Sequence, residues 1–362
     1  MKIGIDASRA LRKIKTGTEY YSEQIIINLA KIDRKNDYIL YSQVKPTGPL
    51  SKLPANFQWR IMPFPRGWTL FRLSVEMKKN PPDVLFIPAH TLPLIAPKKS
   101  VVMIHDLNFY KNPELYPMRQ KLYHNFVIKR DVKKAAHFLV PSKYSKNDLI
   151  KLMGVSHQKI NVIYHGYDES LFRPIDAQSH RSSKLKFYLF YLGRLEAKKN
   201  LIRLIRAMAL LKNHHLKTVK LVLAGKPSHG YDEIKKEIEK YQLNNQVVEL
   251  GYLDEKEVPF WYANARALVF PSFLEGFGMP IIEAQATACP VICSNTKPLP
   301  EIGGDGAQYF DPLSEIDMAK KIAAVLKDKS LRQRLIKKGL QNARRFSWRD
   351  SARKTLAILE SV

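Results

Sequence analysis

Cysteine is scarce in this sequence, because only Cys289 and Cys293 occur among its 362 residues. Two cysteines cannot complete a zinc site by themselves, so we expect both to be reduced and buried. Long apolar runs are also missing: Phe187–Gly193 falls far short of the roughly 18 residues that a membrane span requires. The first residues lack the apolar core of a signal peptide, which predicts a cytoplasmic location.

Acidic residues are few beside basic ones, and 33 Asp and Glu against 60 Lys and Arg give a formal net charge of +27. The excess is spread along the chain instead of forming a basic tail. In the absence of RNA-module signatures, this distribution favours attraction to anionic lipid over binding of nucleic acid. A plain solvated basic surface explains the same charge equally well.

Aromatic residues alternate with cations between Asn56 and Lys79. The aromatic members are Trp59, Phe64, Trp68 and Phe71, and the cations are Arg60, Arg66, Arg72, Lys78 and Lys79. Such a pattern suits an interfacial or acceptor-binding segment, because rings lie at the headgroup level while cations meet lipid phosphates. Core aromatics beneath a solvated basic face are the alternative interpretation.

Residues 269–295 carry the most informative pattern in the sequence. An apolar run suited to a buried strand leads into a Glu-Gly-Phe-Gly turn and then a helix-favouring segment from Pro280. Proline suits a helix start, so the loop is expected to point along a helix N-terminus, which favours an anion such as a phosphate. Carboxylates would repel a phosphate, so Glu275 and Glu283 are expected to accept hydrogen bonds from hydroxyls beside it. A sugar nucleotide has this chemistry.

A strand, a glycine turn and a helix also occur in α/β proteins that bind no ligand there, so this order of elements alone does not indicate a site. The longer motif favours a ligand site. E-G-F-G-M-P-x-x-E-A at Glu275–Ala284, followed by P-E-I-G-G-D at Pro300–Asp305, resembles the donor-site signature of retaining glycosyltransferase family 4, which has the GT-B fold. The resemblance implies that Glu275 binds hydroxyls of the donor sugar and Glu283 the ribose. It also implies donor binding by the backbone N–H groups of Phe277, Gly278 and Met279.

A second strand, loop and helix begin near Leu185. The strand is expected to run to Leu192 and an amphipathic helix to open at Asn200, so Arg194 and Lys199 lie in the loop between them. A leaving nucleoside diphosphate gains negative charge as its bond to the sugar breaks, and two cations there would stabilise that charge. G-R-L-E-x-x-K-N also resembles the basic pair of the family.

The N-terminus shows the same predicted order of strand, loop and helix. Residues 2–6 are predicted to form a strand, and a helix is predicted from Gly17 with Thr18 as a candidate cap. T-G-T-E-Y-Y at Thr16–Tyr21 resembles the family's glycine loop near the donor diphosphate, although Glu19 stands where a second glycine is common. A simple turn is the alternative interpretation.

Two later apolar strands end in histidines, His90 and His105. Ligands in open parallel sheets bind beyond the carboxyl ends of strands, where these side chains are expected. His105 matches the family's histidine at the acceptor-facing wall, which implies contact with the transferred sugar. We interpret His90 as a structural histidine. His165 occupies a position where the family has Asn.

The predicted architecture is α/β of the GT-B class, with two doubly wound Rossmann-like domains facing each other across a cleft. We assign residues 1–178 to an acceptor-side domain and residues 179–345 to a nucleotide-sugar-binding domain. Ile175–Lys184 resembles a hinge because it is polar, Ser-rich and without periodicity. Residues 346–362 are expected to form a helix that packs back on the first domain.

The resemblance implies a retaining glycosyltransferase that moves a sugar from a nucleoside diphosphate to a glycan or lipid-linked acceptor in surface polysaccharide synthesis. The sequence contains no Asp-x-Asp, so we expect neither a catalytic metal nor another cofactor. GDP-mannose is the favoured donor, with UDP-sugars as the alternative. A sugar-nucleotide epimerase of related fold and a non-enzymatic nucleic-acid binder remain as other classes.

Overall fold

The structure is a computed structural model that describes residues 1–111, 113, 118–174, 185, 187–213 and 218–362. It divides into two compact units, Met1–Gly166 with Ser347–Val362, and Tyr167–Phe346. The first unit ends before the predicted boundary at residue 178, because Phe172 already packs into the core of the second unit. The predicted hinge at residues 175–184 lies outside the described residues.

The described part of the first unit contains one sheet of seven parallel strands. In spatial order β3-β2-β1-β4-β5-β6-β7, the strands are β1 (Lys2–Asp6), β2 (Asp37–Ser42), β3 (Phe57–Ile61), β4 (Val84–Ile87), β5 (Ser100–Met103), β6 (His137–Val140) and β7 (Ile160–Val162). The order reverses between β1 and β4, which creates the topological switch point of a doubly wound fold. The predicted first strand is confirmed at residues 2–6.

Helices cover this sheet, and the C-terminal helix is one of them. They are α1 (Gly17–Ile32), α2 (Arg72–Lys79), α3 (Asn108–Lys111), α4 (Met118–Lys134), α5 (Lys143–Met153) and α13 (Trp348–Ser361). Helix α13 packs on α1, and the Asn36 amide donates a hydrogen bond of 2.9 Å to the Glu360 carboxylate. The last residues of the chain thereby belong to the first unit.

The second unit repeats the same topology in the residues that the structure describes. Its six parallel strands lie in the order β10-β9-β8-β11-β12-β13, with bounds β8 (Tyr188–Leu192), β9 (Lys220–Ala224), β10 (Val247–Gly251), β11 (Ala267–Phe270), β12 (Val291–Ser294) and β13 (Ala307–Phe310). Its helices are α6 (Leu201–Asn213), α7 (Tyr231–Lys240), α8 (Val258–Asn264), α9 (Met279–Ala286), α10 (Leu299–Gly303), α11 (Glu315–Lys327) and α12 (Lys329–Ala343). The switch point of this sheet lies between β8 and β11.

Strand β8 shows why both faces of the second sheet are covered. Leu189 and Tyr191 belong to one buried apolar cluster, whereas Tyr188 and Phe190 belong to another on the opposite face. Alternate side chains point to opposite faces of a strand, so a continuous apolar run requires helices on both sides. The loops at the strand ends are left to form sites.

Both cysteines are free and buried, as predicted. None of the described helices has both the length and the apolar character to cross a bilayer.

Candidate functional site

The candidate site of the second unit lies at its topological switch point. Strands β8 and β11 are parallel neighbours, so the loops that follow them leave the same edge of the sheet. The β8 loop holds Arg194 and Lys199, and the β11 loop holds Glu275. Ligands of doubly wound sheets bind in the crevice at such a point.

The β11 loop has the predicted order of strand, glycine turn and helix. Strand β11 ends at Phe270, and α9 begins at Met279 with Pro280 in its first turn. Gly278 precedes the helix with a φ of +105°, and a Cβ on it would lie 2.9 Å from the Leu299 Cδ2 atom. Both facts require glycine at this turn, so the backbone of the loop is fixed at the helix N-terminus.

Lys199 and Glu275 form an ion pair across the two loops. The Lys199 Nζ atom donates a hydrogen bond of 2.5 Å to the Glu275 Oε1 atom, and the two side chains are 14% and 15% exposed. Lys198 is directed elsewhere and pairs with Glu196 at 3.4 Å. The fold therefore brings together the predicted diphosphate cation and the predicted sugar-binding carboxylate, while both still reach solvent.

Asn200 follows Lys199 in the β8 loop, and its buried side chain joins this loop to the β11 loop. The sequence did not reveal this role. The buried Asn200 amide donates hydrogen bonds to the carbonyl oxygens of Pro271, at 3.1 Å, and Pro312, at 2.8 Å. Its φ is +58°, a left-handed conformation that Asn tolerates better than most residues. The Phe273 N–H also donates to the Lys198 carbonyl at 3.1 Å. The bonds that involve Pro271 and Phe273 fix the distance between the β8 loop and the β11 loop, and the bond to Pro312 ties the β8 loop to the segment after β13.

Arg194 lies at the same sheet edge with an exposed side chain. Its carbonyl oxygen accepts a hydrogen bond of 2.8 Å from the Tyr191 hydroxyl, and the Leu195 N–H donates to the Lys226 carbonyl at 2.9 Å. The backbone that carries Arg194 is thus held firmly. Within the described residues, no ion pair joins its guanidinium to Glu275.

Glu283 lies inside the unit, on the second turn of α9. The Tyr262 hydroxyl donates a hydrogen bond of 3.2 Å to its Oε2 atom. Burial, together with the charge of Glu255, raises the pKa of Glu283 to about 8, and the hydrogen bond from Tyr262 opposes this rise only in part. A carboxyl that is largely protonated at neutral pH can donate a hydrogen bond as well as accept one.

In the first unit, Gly17 and His105 follow strands close to the other switch point. Gly17 begins α1 after the β1 loop, and among the described residues no atom lies within 4 Å of the place where its Cβ would be. The cap of this helix is Thr16, and not Thr18 as predicted. The Thr16 N–H donates to the Glu19 carboxylate at 3.2 Å. This capping contact explains an acidic residue where the family commonly has a second glycine.

His105 is buried two residues beyond the end of β5. Its Nε2–H donates a hydrogen bond of 2.9 Å to the Pro88 carbonyl, which leaves Nδ1 as an acceptor. Burial lowers the pKa of His105, so the ring is neutral at pH 7. The Tyr21 and His90 rings pack edge-on against it, with centroids at 5.0 and 5.1 Å.

His165 belongs to the same aromatic cluster. Its ring lies 4.7 Å from the Tyr21 ring and stacks on Trp348 at 5.7 Å. The sequence marked His165 only as a departure from the family. Its packing with the C-terminal helix required the folded structure.

Comparison with known proteins agrees with this geometry. The family model described as Glycosyltransferase Family 4 matches residues 31–171, and Glycosyl transferases group 1 matches residues 172–342. The O-antigen chain mannosyltransferase B of Escherichia coli is 28% identical over 264 residues, which cover 72% of this chain and 69% of that relative.

Solved structures extend the likeness to almost the whole chain. Sucrose-phosphate synthase from Thermosynechococcus elongatus has a TM-score of 0.80 at 18% identity, with 99% of this chain and 98% of that one covered. Anabaena HepE in complex with UDP and glucose has a TM-score of 0.75 at 19% identity, with 100% and 99% covered.

Fold, switch-point loops and family matches together define a glycosyltransferase of the predicted GT-B class. This chain belongs to the glycosyltransferases that combine a Family 4 domain with a group 1 domain, and it is similar to bacterial O-antigen mannosyltransferases.

Proposed function

We propose that the protein is a retaining glycosyltransferase that moves a sugar from a nucleoside diphosphate to a hydroxyl of a glycan or lipid-linked acceptor. The observation that carries this proposal is the Lys199–Glu275 ion pair at the switch point, beside the N-terminus of α9. A cation and a carboxylate in contact offer complementary partners to a ligand that has a diphosphate next to sugar hydroxyls.

The departing diphosphate sets the first requirement of the reaction. Negative charge grows on it as its bond to the sugar breaks, and Lys199 supplies a fixed positive charge at that place. Arg194 adds a guanidinium that can bind two phosphate oxygens, and the N–H groups of Phe277, Gly278 and Met279 add the positive end of α9. In this proposal these groups take the place of a catalytic metal, so no metal or other cofactor is required.

Carboxylates and a histidine orient the remaining parts of the donor. Glu275 accepts hydrogen bonds from hydroxyls of the transferred sugar, and Glu283 binds the ribose. We assign His105 to contact with the transferred sugar, for which its neutral ring offers Nδ1 as an acceptor. Gly17 admits the diphosphate close to the start of α1, because its surroundings would leave room even for a side chain.

GDP-mannose is the donor that we propose. The support is the name of the E. coli relative, an O-antigen chain mannosyltransferase, and the same name supports our proposal of surface polysaccharide synthesis. The alternative is a UDP-sugar, since UDP and glucose are bound in the Anabaena structure of the same fold.

We place the reaction on the cytoplasmic side of an anionic membrane, with the enzyme peripherally attached. The net charge of +27 supports attraction to such a surface.

Ligand screening separates these proposals. Melting temperature should rise most with GDP and GDP-mannose, because a ligand that binds only the folded state stabilises it by mass action. Transfer should require an oligosaccharide acceptor, whereas an epimerase would convert the donor without one. A high 260/280 nm absorbance ratio after purification in high salt would instead identify a nucleic-acid binder.

A further inference from the structure

Helix α4 of the first unit exposes an apolar face. Met118, Leu122 and Phe126 follow at four-residue intervals and are 66%, 64% and 61% exposed. Successive residues of an α-helix are about 100° apart around its axis, so these three side chains fall within a sector of about 80°. Val127 and Ile128 point the other way and are buried. The helix is therefore fixed by its inner face, while its outer face is apolar over more than two turns.

Exposed lysines continue the outer face of α4 toward its C-terminal end. Lys129 and Lys133 are exposed and fall within the same sector as Met118, Leu122 and Phe126. The sequence of this face is apolar first and then cationic. An amphipathic helix that lies in a membrane interface has this composition.

Helix α2 repeats the arrangement on a smaller scale. Phe71, just before the helix, and Val75 are 54% and 48% exposed, again four positions apart. Lys78 and Lys79 follow, are exposed and lie on the same side. Part of the segment with alternating aromatics and cations is thus exposed, although Trp68 from the same segment is buried and donates to the Met62 carbonyl.

One loop joins the two helices. The Lys134 Nζ atom of α4 donates a hydrogen bond of 2.7 Å to the Leu94 carbonyl, and the Ile95 N–H donates to the Ser74 hydroxyl of α2 at 3.2 Å. Ile95 itself is exposed. The loop that carries Ile95 therefore contacts both α2 and α4.

We call the exposed apolar and cationic residues of α2, this loop and α4 the docking face. Its apolar members are Phe71, Val75, Ile95, Met118, Leu122 and Phe126, and its cations are Lys78, Lys79, Lys129 and Lys133. Exposed apolar side chains grouped in this way mark an interaction site. A second copy of the chain is a poor occupant, because it would bring the same lysines together.

We propose that the docking face binds an anionic lipid bilayer. The apolar side chains enter the boundary between headgroups and acyl chains, and the lysines contact lipid phosphates. This inference deepens the peripheral location proposed above and rests on it for its biological use. Vesicle binding itself requires neither sugar donor nor acceptor.

Vesicle sedimentation of the full chain tests the proposal. The wild type should sediment with vesicles of phosphatidylcholine and phosphatidylglycerol, weakly with phosphatidylcholine alone, and less as salt screens the lysines. Leu122→Ser combined with Phe126→Ser should weaken binding at least about tenfold, because both side chains leave water on docking. Lys129→Gln combined with Lys133→Gln should weaken it about fivefold per charge removed.

Matched controls come from the second unit. Leu313→Ser with Ile316→Ser removes two equally exposed apolar side chains, and Lys320→Gln with Lys327→Gln removes two exposed lysines. Both control variants should bind vesicles as the wild type does. Melting temperature verifies that each variant is folded.

Three results would overturn the proposal. The first is a wild type that stays in the supernatant with anionic vesicles at low salt. The second is equal binding by the docking-face and control variants. The third is unchanged vesicle binding together with a shift from dimer to monomer in the Leu122→Ser, Phe126→Ser variant, which would identify a face for self-association. Lys199→Ala should bind vesicles normally, so a failure of the transfer reaction would not be mistaken for a failure of docking.

Discussion

Replacing Glu283 by Gln tests how the second unit holds its buried carboxyl. Burial raises the pKa of Glu283 from 4.5 to about 8. Between these values the folded protein binds more protons than the unfolded chain, so the free energy of unfolding falls as the pH rises. An amide is neutral at every pH and can still accept the hydrogen bond from Tyr262. The free energy of unfolding of Glu283→Gln should therefore not fall in this way as the pH rises.

The size of the effect follows from the shift. At about 1.4 kcal/mol per pKa unit, a change from 4.5 to about 8 corresponds to at most about 5 kcal/mol, and relaxation around the charge will reduce it. We expect similar stabilities for wild type and Glu283→Gln at pH 5, and a variant that is more stable at pH 8.5. For a unit of this size, each kcal/mol raises the melting temperature by about 2–4 °C.

Calorimetry from pH 5 to pH 8.5 measures the difference. Glu239→Gln is the control, because it replaces an exposed carboxylate of the same unit. If the gap between Glu283→Gln and wild type were the same at both ends of the pH range, the raised pKa of Glu283 would be refuted.

Four further predictions concern the second unit and its reaction. Gly278→Ala should cost about 1–3 kcal/mol of stability, because a Cβ at positive φ would collide with Leu299; thermal unfolding measures this. Asn200→Ala should cost about 1–3 kcal/mol and weaken nucleotide binding, since it removes the hydrogen bond to Pro271 in the β11 loop and the one to Pro312 after β13; urea unfolding and calorimetric titration measure the two effects. Ala288→Gly should stabilise the unit by about 0.5–1 kcal/mol, because Ala288 has a φ of +60°, and urea unfolding would detect it. Transfer should continue in excess EDTA, and its abolition would show that a metal is required.

The local sequence pattern predicted most of the strands and helices of the second unit. Apolar runs separated by glycine turns indicated buried parallel strands, and the start of α9 near Pro280 followed from the position of proline. The cap of α1 was missed by two positions, because residue type alone does not distinguish Thr16 from Thr18. Thr16 stands three residues before Glu19, which is the spacing of a capping box, and the structure contains that contact.

Contacts between residues that are far apart in the chain could not be predicted from the sequence. Lys199 and Glu275 were predicted separately, and their pairing depends on the adjacency of β8 and β11 in the sheet. The linking role of Asn200 was missed because residue type alone indicated only a helix start. The apolar outer face of α4 could not be distinguished from a buried one, since periodicity does not reveal which side of a helix meets water.

Transfer of mannose from GDP-mannose by wild type, Lys199→Ala and Lys198→Ala tests the central claim most directly. Lys198 is the matched control, because it lies next to Lys199 but pairs with Glu196 instead of Glu275. Loss of one contact to the departing diphosphate should reduce the rate for Lys199→Ala about 100- to 1,000-fold, while Lys198→Ala stays close to wild type and both variants remain folded. Full transfer by folded Lys199→Ala, or equal losses in the two variants, would contradict the account.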